Sequence, residues 1–404
     1  MKRTTAFGIA AIALWCAGAA ALPELRAQNG PPPPAPAPPP PSAVIRFSYS
    51  GNAAQIPAQF IENLVLLPAR VNLSQPSLFL LDTTAPVSSL DPRRAAELGI
   101  TNFRAPVLNM ADVDVHLPEL GSVANADFGA RVGRPYEGTI GNDVLSEAVV
   151  ELEYGRHAVR IYDPAPFQYR GGGKSFPLVM RDGMPAVKAK VTVAGHKSGE
   201  VLFIINTTLD VPLVISDRFA QQRHFFSHLK TVPAAKGEIG IGDNAVMARI
   251  EDFQIGGYQI EAPLAAFVQG KAPGLDDPQV AGEIGGGMLR RFTLTLDYAR
   301  QVAIFDANSD IRTDDHEDMS GISLAAGGPD LKRFEVVLVR PGSPAADAGV
   351  QKGDVIAGVD EEAAADMTLS AVRNLFRQVG HKYKLVLDRN GTTKTINVTM
   401  RRSL

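Results

Sequence analysis

Cysteine is almost absent from this chain. The single one, Cys16, stands beside the single tryptophan, Trp15, in the N-terminal segment. If that segment is removed, the rest has no thiol, which excludes disulfides, thiol catalysis and cysteine-ligated metals. Strong charge of either sign is also missing. A net charge of −3 gives no electrostatic case for nucleic acid or an anionic membrane surface as a partner. The seven histidines are scattered, with no H-E-x-x-H and no G-x-S-x-G, so nothing points to a zinc peptidase or a serine hydrolase. No metal and no cofactor is expected. Beyond the N-terminus no apolar run is long enough to span a bilayer.

What the N-terminus does have is an export pattern. Lys2 and Arg3 precede an apolar stretch from Ala6 to Leu22 with small residues at Ala17 to Ala21. This fits a signal peptide cleaved after Ala27 or after Ala21, leaving no stable membrane span; an uncleaved anchor is the rival. Export to the periplasm, the cell envelope or the medium is expected. From Pro31 to Pro41, nine of eleven residues are proline, an extended polyproline spacer that reads as a tether.

The informative stretch is Ser77 to Leu90, S-L-F-L-L-D-T-T-A-P-V-S-S-L, where an apolar run stops on Asp82. A carboxylate ending a buried strand is costly unless it is paired or has work to do. The stretch has a second copy: Val201 to Ser216 reads V-L-F-I-I-N-T-T-L-D-V-P-L-V-I-S, with Asn206 in place of the Asp. A further echo follows each copy, G-T-I-G-N-D-V-L at Gly138 to Leu145 and G-E-I-G-G-G-M-L at Gly282 to Leu289. Two long segments therefore share one order of events, an internal duplication of a β-rich unit.

These residues resemble the retropepsin- and pepsin-like aspartic peptidases over roughly Leu64 to Asn308. In that family each lobe supplies one Asp from a D-T/S-G turn, crossed by a later apolar-apolar-Gly turn. The matching residues are Asp82-Thr83-Thr84 with Ile140-Gly141, and Asn206-Thr207-Thr208 with Ile284-Gly285. The resemblance implies that Thr83 and Thr207 brace the two turns, that Gly141 and Gly285 support them, and that the segment from Lys236 to Asn244 (K-G-E-I-G-I-G-D-N) is a flap carrying Gly240 and Gly242. That segment has no phosphate-loop spacing and no following G-K-[ST]. The chain departs from the family at Asn206, where the second Asp belongs, and at Thr84 and Thr208, where glycine lets the turns approach. A β-branched residue at each of these two places should crowd the water site or force it wider.

The remaining elements follow from punctuation. Asp91 with Pro92 and Gly99 bracket a short helix, and Ser216 to Gln222 is its counterpart. Val107 to Val132 should form hairpins, Glu151 to Tyr162 should close the first lobe, and Pro185 to Val193 alternates as a half-exposed strand. Ala307 to Ser320 holds five carboxylates and His316 and reads as a solvated linker rather than a cation site. Beyond it, S-P-A-A-D-A-G-V-Q-K-G-D-V-I at Ser343 to Ile356 resembles a PDZ domain. Here Ser343 caps a one-turn helix begun by Pro344 and ended by Gly349, and Arg389-Asn390-Gly391 turns a closing hairpin. That resemblance implies a carboxylate loop between Leu324 and Phe334, Val336 and Leu338 on the strand that a peptide joins, and Leu369 and Val372 on the facing helix.

The expected fold class is thus mainly β: a two-lobed aspartic-peptidase-like fold followed by a PDZ domain, a partly open β-barrel with two helices. The expected boundaries are a signal peptide at 1–27, a spacer at 28–43, lobes at 44–168 and 169–308, an acidic linker at 309–320 and the PDZ domain at 321–404. Aspartic peptidases need one carboxyl to keep a proton while the other activates water. Asp82 can be the base, but Asn206 can neither give nor take a proton. The expected function is recognition of extended peptides or protein C-termini with little or no hydrolysis. The alternative is an active aspartic endopeptidase using Asp82 with an unusual partner, one route being self-association that brings two copies of it together.

Overall fold

The two repeated stretches fold alike. In the computed structural model, which describes residues 42–48, 51–234, 244–270, 274–315 and 317–404, Ser77–Leu81 is a strand parallel to Gly138–Ile140, which pairs antiparallel with Ser89–Leu90. Val201–Ile205 is likewise parallel to Val280–Ile284, which pairs antiparallel with Leu213–Ile215. Strands bonded on both sides and covered on both faces need continuous apolar runs. Phe79, Leu81, Phe203, Ile205 and Ile284 accordingly lie in one core.

Helix boundaries follow the capping chemistry. Asp91 accepts from the Arg93 amide at 2.9 Å to start Pro92–Glu97. Ser216 accepts from the Phe219 amide at 3.3 Å to start Asp217–Gln222. The strand Met184–Val193 alternates around its exposed Lys188 and Lys190.

Three expectations are corrected. Val107–Met110 and Val113–His116 do make a hairpin, but the end of that segment is a helix, Ala126–Val132, closed by Gly133 at φ +75°. Phe128 and Val132, four apart on one face, pack around Tyr136, which favours the helix there. The strands Val149–Glu153 and Ala158–Tyr162 do not close off the first unit. Val149–Glu153 pairs with Phe292–Asp297 of the second, within one six-stranded sheet running Lys174–Pro177, Val302–Ala307, Phe292–Asp297, Val149–Glu153, Ala158–Tyr162, Ala53–Pro57. The acidic segment is solvated only in part, with Asp314 exposed. Asp315 and Glu317 are buried. Asp315 Oδ1 lies 2.6 Å from Nη2 of the buried Arg291, and Glu317 Oε1 accepts from the amides of Ser403 and Leu404. These two charges are internal ties between chain segments, which composition alone does not reveal. His316, the signal segment, the spacer up to Pro41, and Gly240 and Gly242 lie outside the described residues.

The C-terminal part has its own core, including Phe334, Val336, Ile356, Phe376 and Leu385. Its sheet runs Ile322–Gly327, Arg333–Val339, Val355–Val359, Lys382–Arg389, Thr392–Thr399. Ser343 caps Pro344–Ala348, and Gly349 ends it at φ +87°. The last hairpin turns on Asn390 and Gly391 at φ +54° and +78°, the left-handed pair that a two-residue turn requires.

Candidate active site between two braced turns

The loops that follow Leu81 and Ile205 meet face to face. Thr83 Oγ1 donates to the Ile205 carbonyl at 2.6 Å, and Thr207 Oγ1 donates to the Leu81 carbonyl at 2.7 Å. Each backbone amide then donates to the other threonine's hydroxyl at 3.2 Å. Both threonines are fully buried. Four crossed bonds in a dry site leave little freedom to the residues just before them, Asp82 and Asn206. Two glycines let each crossing strand pass close beneath its own turn. A Cβ on Gly141 would come within 2.8 Å of the Ala85 carbonyl oxygen, and one on Gly285 would strike the Val211 carbonyl oxygen.

Asp82 is held by its own turn. Its Oδ1 accepts from the Thr84 amide at 2.7 Å, the Thr84 hydroxyl at 2.6 Å and the Ala85 amide at 3.1 Å. Asp82 Oδ2 has no such donor among the described residues. Asn206 repeats the arrangement: its Oδ1 accepts from the Thr208 amide at 2.9 Å and the Thr208 hydroxyl at 2.7 Å. These two donors require oxygen at that place, so the Asn206 amide nitrogen faces the other way. The hydroxyls of Thr84 and Thr208 both turn back onto the oxygen of their own loop. Asn142 adds support, donating to the Thr83 carbonyl at 2.7 Å and accepting from the Tyr298 hydroxyl at 3.2 Å.

Sequence reasoning passed over one residue here. Glu283 occupies, in the second unit, the place of Thr139 in the first. Its strand neighbours are Ile204 and Val214, and it is 7% exposed. Burial pushes its carboxyl up to about 7. The Asn206 amide lies against it and lowers it, and the Asp82 charge raises it further. The signal was present in the chain, as a lone acid inside the apolar strand of an I-G crossing. Tyr136 and Tyr298 are also kept protonated by burial, with the Asp82 charge adding to it. No group of three or more metal-ligating side chains occurs among the described residues, and no helix among them is long and apolar enough to cross a membrane.

In the C-terminal part, Leu369 and Val372 lie buried on the helix Leu369–Phe376. Val336 and Leu338 do not sit at the sheet edge. Their strand, Arg333–Val339, lies between Ile322–Gly327 and Val355–Val359, so both of its sides are bonded. The edge strand is Ile322–Gly327, which also takes up part of the segment expected to be the carboxylate loop. That edge is covered: the helix Ala126–Val132 packs beside it, and Arg373 Nη2 donates to the Leu324 carbonyl at 3.0 Å. Arg377 Nη2 reaches Glu62 Oε2 at 3.0 Å and Asp210 Oδ2 at 3.4 Å, and Arg373 Nη1 lies 3.7 Å from Glu62 Oε1. Burial alone would raise the Glu62 carboxyl, but Arg377 and Arg373 outweigh it and hold it below its ordinary value. Asp210, four residues after Asn206, is pushed up to about 6 by burial and the Glu62 charge against the two arginines.

The PDZ domain family model matches residues 311–400. This chain has a PDZ domain at its C-terminal end. No curated protein matches the chain. Among solved structures, an aspartic proteinase from Irpex lacteus is similar at 11% identity and a TM-score of 0.42, over 65% of this chain and 99% of that one. A photosystem II D1 C-terminal processing protease is similar at 29% identity and a TM-score of 0.20, over 21% of this chain and 23% of that one. The resemblance to a pepsin-like aspartic protease is weak and partial.

Proposed function

We propose that this is an exported peptide-recognition protein with a two-lobed aspartic-peptidase-like body, lobes at 44–168 and 169–308, and a PDZ domain at 321–404. An extended peptide lies in the cleft over Asp82 and Asn206. The observation that carries this reading is the reciprocal brace of Thr83 and Thr207, which holds the two turns together. A structure kept only for its bulk has no need of four crossed bonds at one point. The Asp82–Asn206 pair by itself supports little or no hydrolysis, because an amide cannot exchange roles with a carboxylate; loss of one acid-base partner costs about 10²- to 10⁴-fold. The proposed setting is the periplasm or cell envelope, on the strength of Lys2, Arg3 and the apolar run to Leu22.

The test is a library of synthetic decapeptides offered to wild type, Asp82→Ala and Asn206→Asp at acidic and neutral pH, with binding and cleavage both followed. Wild type is expected to bind members of the library, and Asn206→Asp to gain cleavage at acidic pH. If wild type binds none and Asn206→Asp gains nothing, the cleft reading fails. Hydrolysis by the wild-type chain is the second reading, and the observation that favours it is Glu283.

A further inference from the structure

The duplication is uneven at one place, and the unevenness is directional. In the first unit the turn carries a carboxylate, Asp82, and the crossing strand carries a hydroxyl, Thr139. In the second unit the turn carries an amide, Asn206, and the crossing strand carries a carboxylate, Glu283. The acid missing from the second turn is present one strand away in the same unit. The main chain keeps the two close, since the Asn206 amide donates to the carbonyl of Ile284, next to Glu283, at 2.9 Å.

The Glu283 carboxyl is in no ion pair among the described residues. Its partners on the two neighbouring strands, Ile204 and Val214, are both apolar and buried. A Cβ on Gly274 would stand 3.5 Å from Glu283 Oε1 and 3.3 Å from the Met184 methyl, so neither residue there offers a charge. Among the described residues no arginine, lysine or histidine lies within salt-bridge distance of it, and the Asp82 charge favours its protonated form. The Asn206 side-chain amide is its hydrogen-bonding companion among the described residues. A buried carboxyl without a cation keeps its proton. Asp82 accepts from three donors on one oxygen and keeps the other oxygen free of them among the described residues. Two carboxyls in different protonation states are what acid–base amide hydrolysis requires.

We propose that Glu283 is the second catalytic carboxyl of this site, working with Asp82 across Asn206 on the amide bond of an extended peptide. Asp82 takes a proton from water as the water oxygen bonds to the carbonyl carbon, and Glu283 gives its proton to the carbonyl oxygen. The resulting gem-diol collapses when Asp82 gives its proton to the amide nitrogen and the C–N bond breaks. Glu283 recovers a proton from one hydroxyl as the C=O bond re-forms. One water is consumed, one amide bond is cleaved, and both carboxyls return to their starting states. Asn206 orients Glu283 and takes no proton. This rests on the cleft reading above.

The experiment uses the full chain and the decapeptide library, with cleavage followed by mass spectrometry from pH 4 to 9 and binding followed in parallel. With Glu283 acting beside Asp82, wild type cleaves as well as binds, in place of the binding alone that the Asp82–Asn206 pair gives, and its rate falls above about pH 7. Asp82→Asn and Glu283→Gln should each lose 10²-fold or more in rate while binding is kept. Gln has the shape of the protonated acid, and a thermal melt of each variant checks that it folds. A second measurement needs no active variant: in chain labelled with 13C-glutamate, the resonance lost in Glu283→Gln should titrate near pH 7. Cleavage that survives Glu283→Gln with its alkaline fall unchanged overturns the role of Glu283. Binding without cleavage by wild type overturns it too and leaves the cleft reading standing. Neither binding nor cleavage overturns both.

Discussion

At Asn206 one nitrogen stands where a peptidase-like site would have an oxygen, and the effect reaches its neighbours. Glu283 lies against that nitrogen with burial and the Asp82 charge both favouring its protonated form. Its carboxyl sits at about 7 in the fold against an ordinary 4.5. The folded state therefore keeps a proton that the unfolded chain releases between those values. Its contribution is fully favourable below pH 4.5 and is lost as pH rises through 7, by up to about 3 kcal/mol. Glu283→Gln should abolish this slope and be the more stable protein at pH 8, read from urea midpoints at pH 4.5, 6 and 8. The brace residues act in another way. Thr83→Val keeps the shape but leaves the buried carbonyl of Ile205 without its donor, a loss of about 1–3 kcal/mol. Adding Thr207→Val should cost less than the sum of the two, since they share one network. A double-mutant cycle in urea measures this, and simple additivity would mean the four bonds are independent.

Among the elements, the helix Leu369–Phe376 and the Arg377 that follows it tie the PDZ domain to the rest. Arg377 meets Glu62, whose side chain is wholly buried, and Asp210 of the Asn206 loop. Arg377→Ala strands those carboxylates and should cost about 3–5 kcal/mol. It should also speed amide exchange in the edge strand Ile322–Gly327 more than in the distant hairpin Lys382–Arg389 and Thr392–Thr399; equal acceleration would show that the tie is not local. The PDZ elements could be read from the chain because Ser343, Gly349 and Asn390-Gly391 act on their immediate neighbours. Which strand lies at the edge could not, because strand order is decided by pairings distant in sequence. Val336 and Leu338 look as suitable as Ile322 and Leu324 until the sheet is assembled. The helix Ala126–Val132 over that edge was hidden for the same reason, and so was the burial of Asp315 beside Arg291.

For the whole molecule, the decisive feature is the sheet built from both units. The duplication was legible because each copy carries its own apolar run, polar stop and I-G crossing. The partnership of Glu283 with Asp82 was not, because it joins residues from different copies. The same sheet denies either unit independence. A chain ending at residue 168 leaves Val149–Glu153 without Phe292–Asp297 and exposes an apolar strand edge. Such a chain is expected to aggregate, whereas residues 42–404 should remain monodisperse in size-exclusion chromatography; a soluble, folded 42–168 fragment would contradict this.

That pairing also sets a timetable for a newly made chain. Val149–Glu153 can take Ala158–Tyr162 on one side at once, while its other side waits for residues made much later. At roughly 5–20 residues per second of synthesis, the wait is on the order of ten seconds, long beside the microseconds in which a hairpin closes. During it the nascent first half is a client for any holding factor that binds open strand edges, and the arrival of Phe292–Asp297 is what releases it.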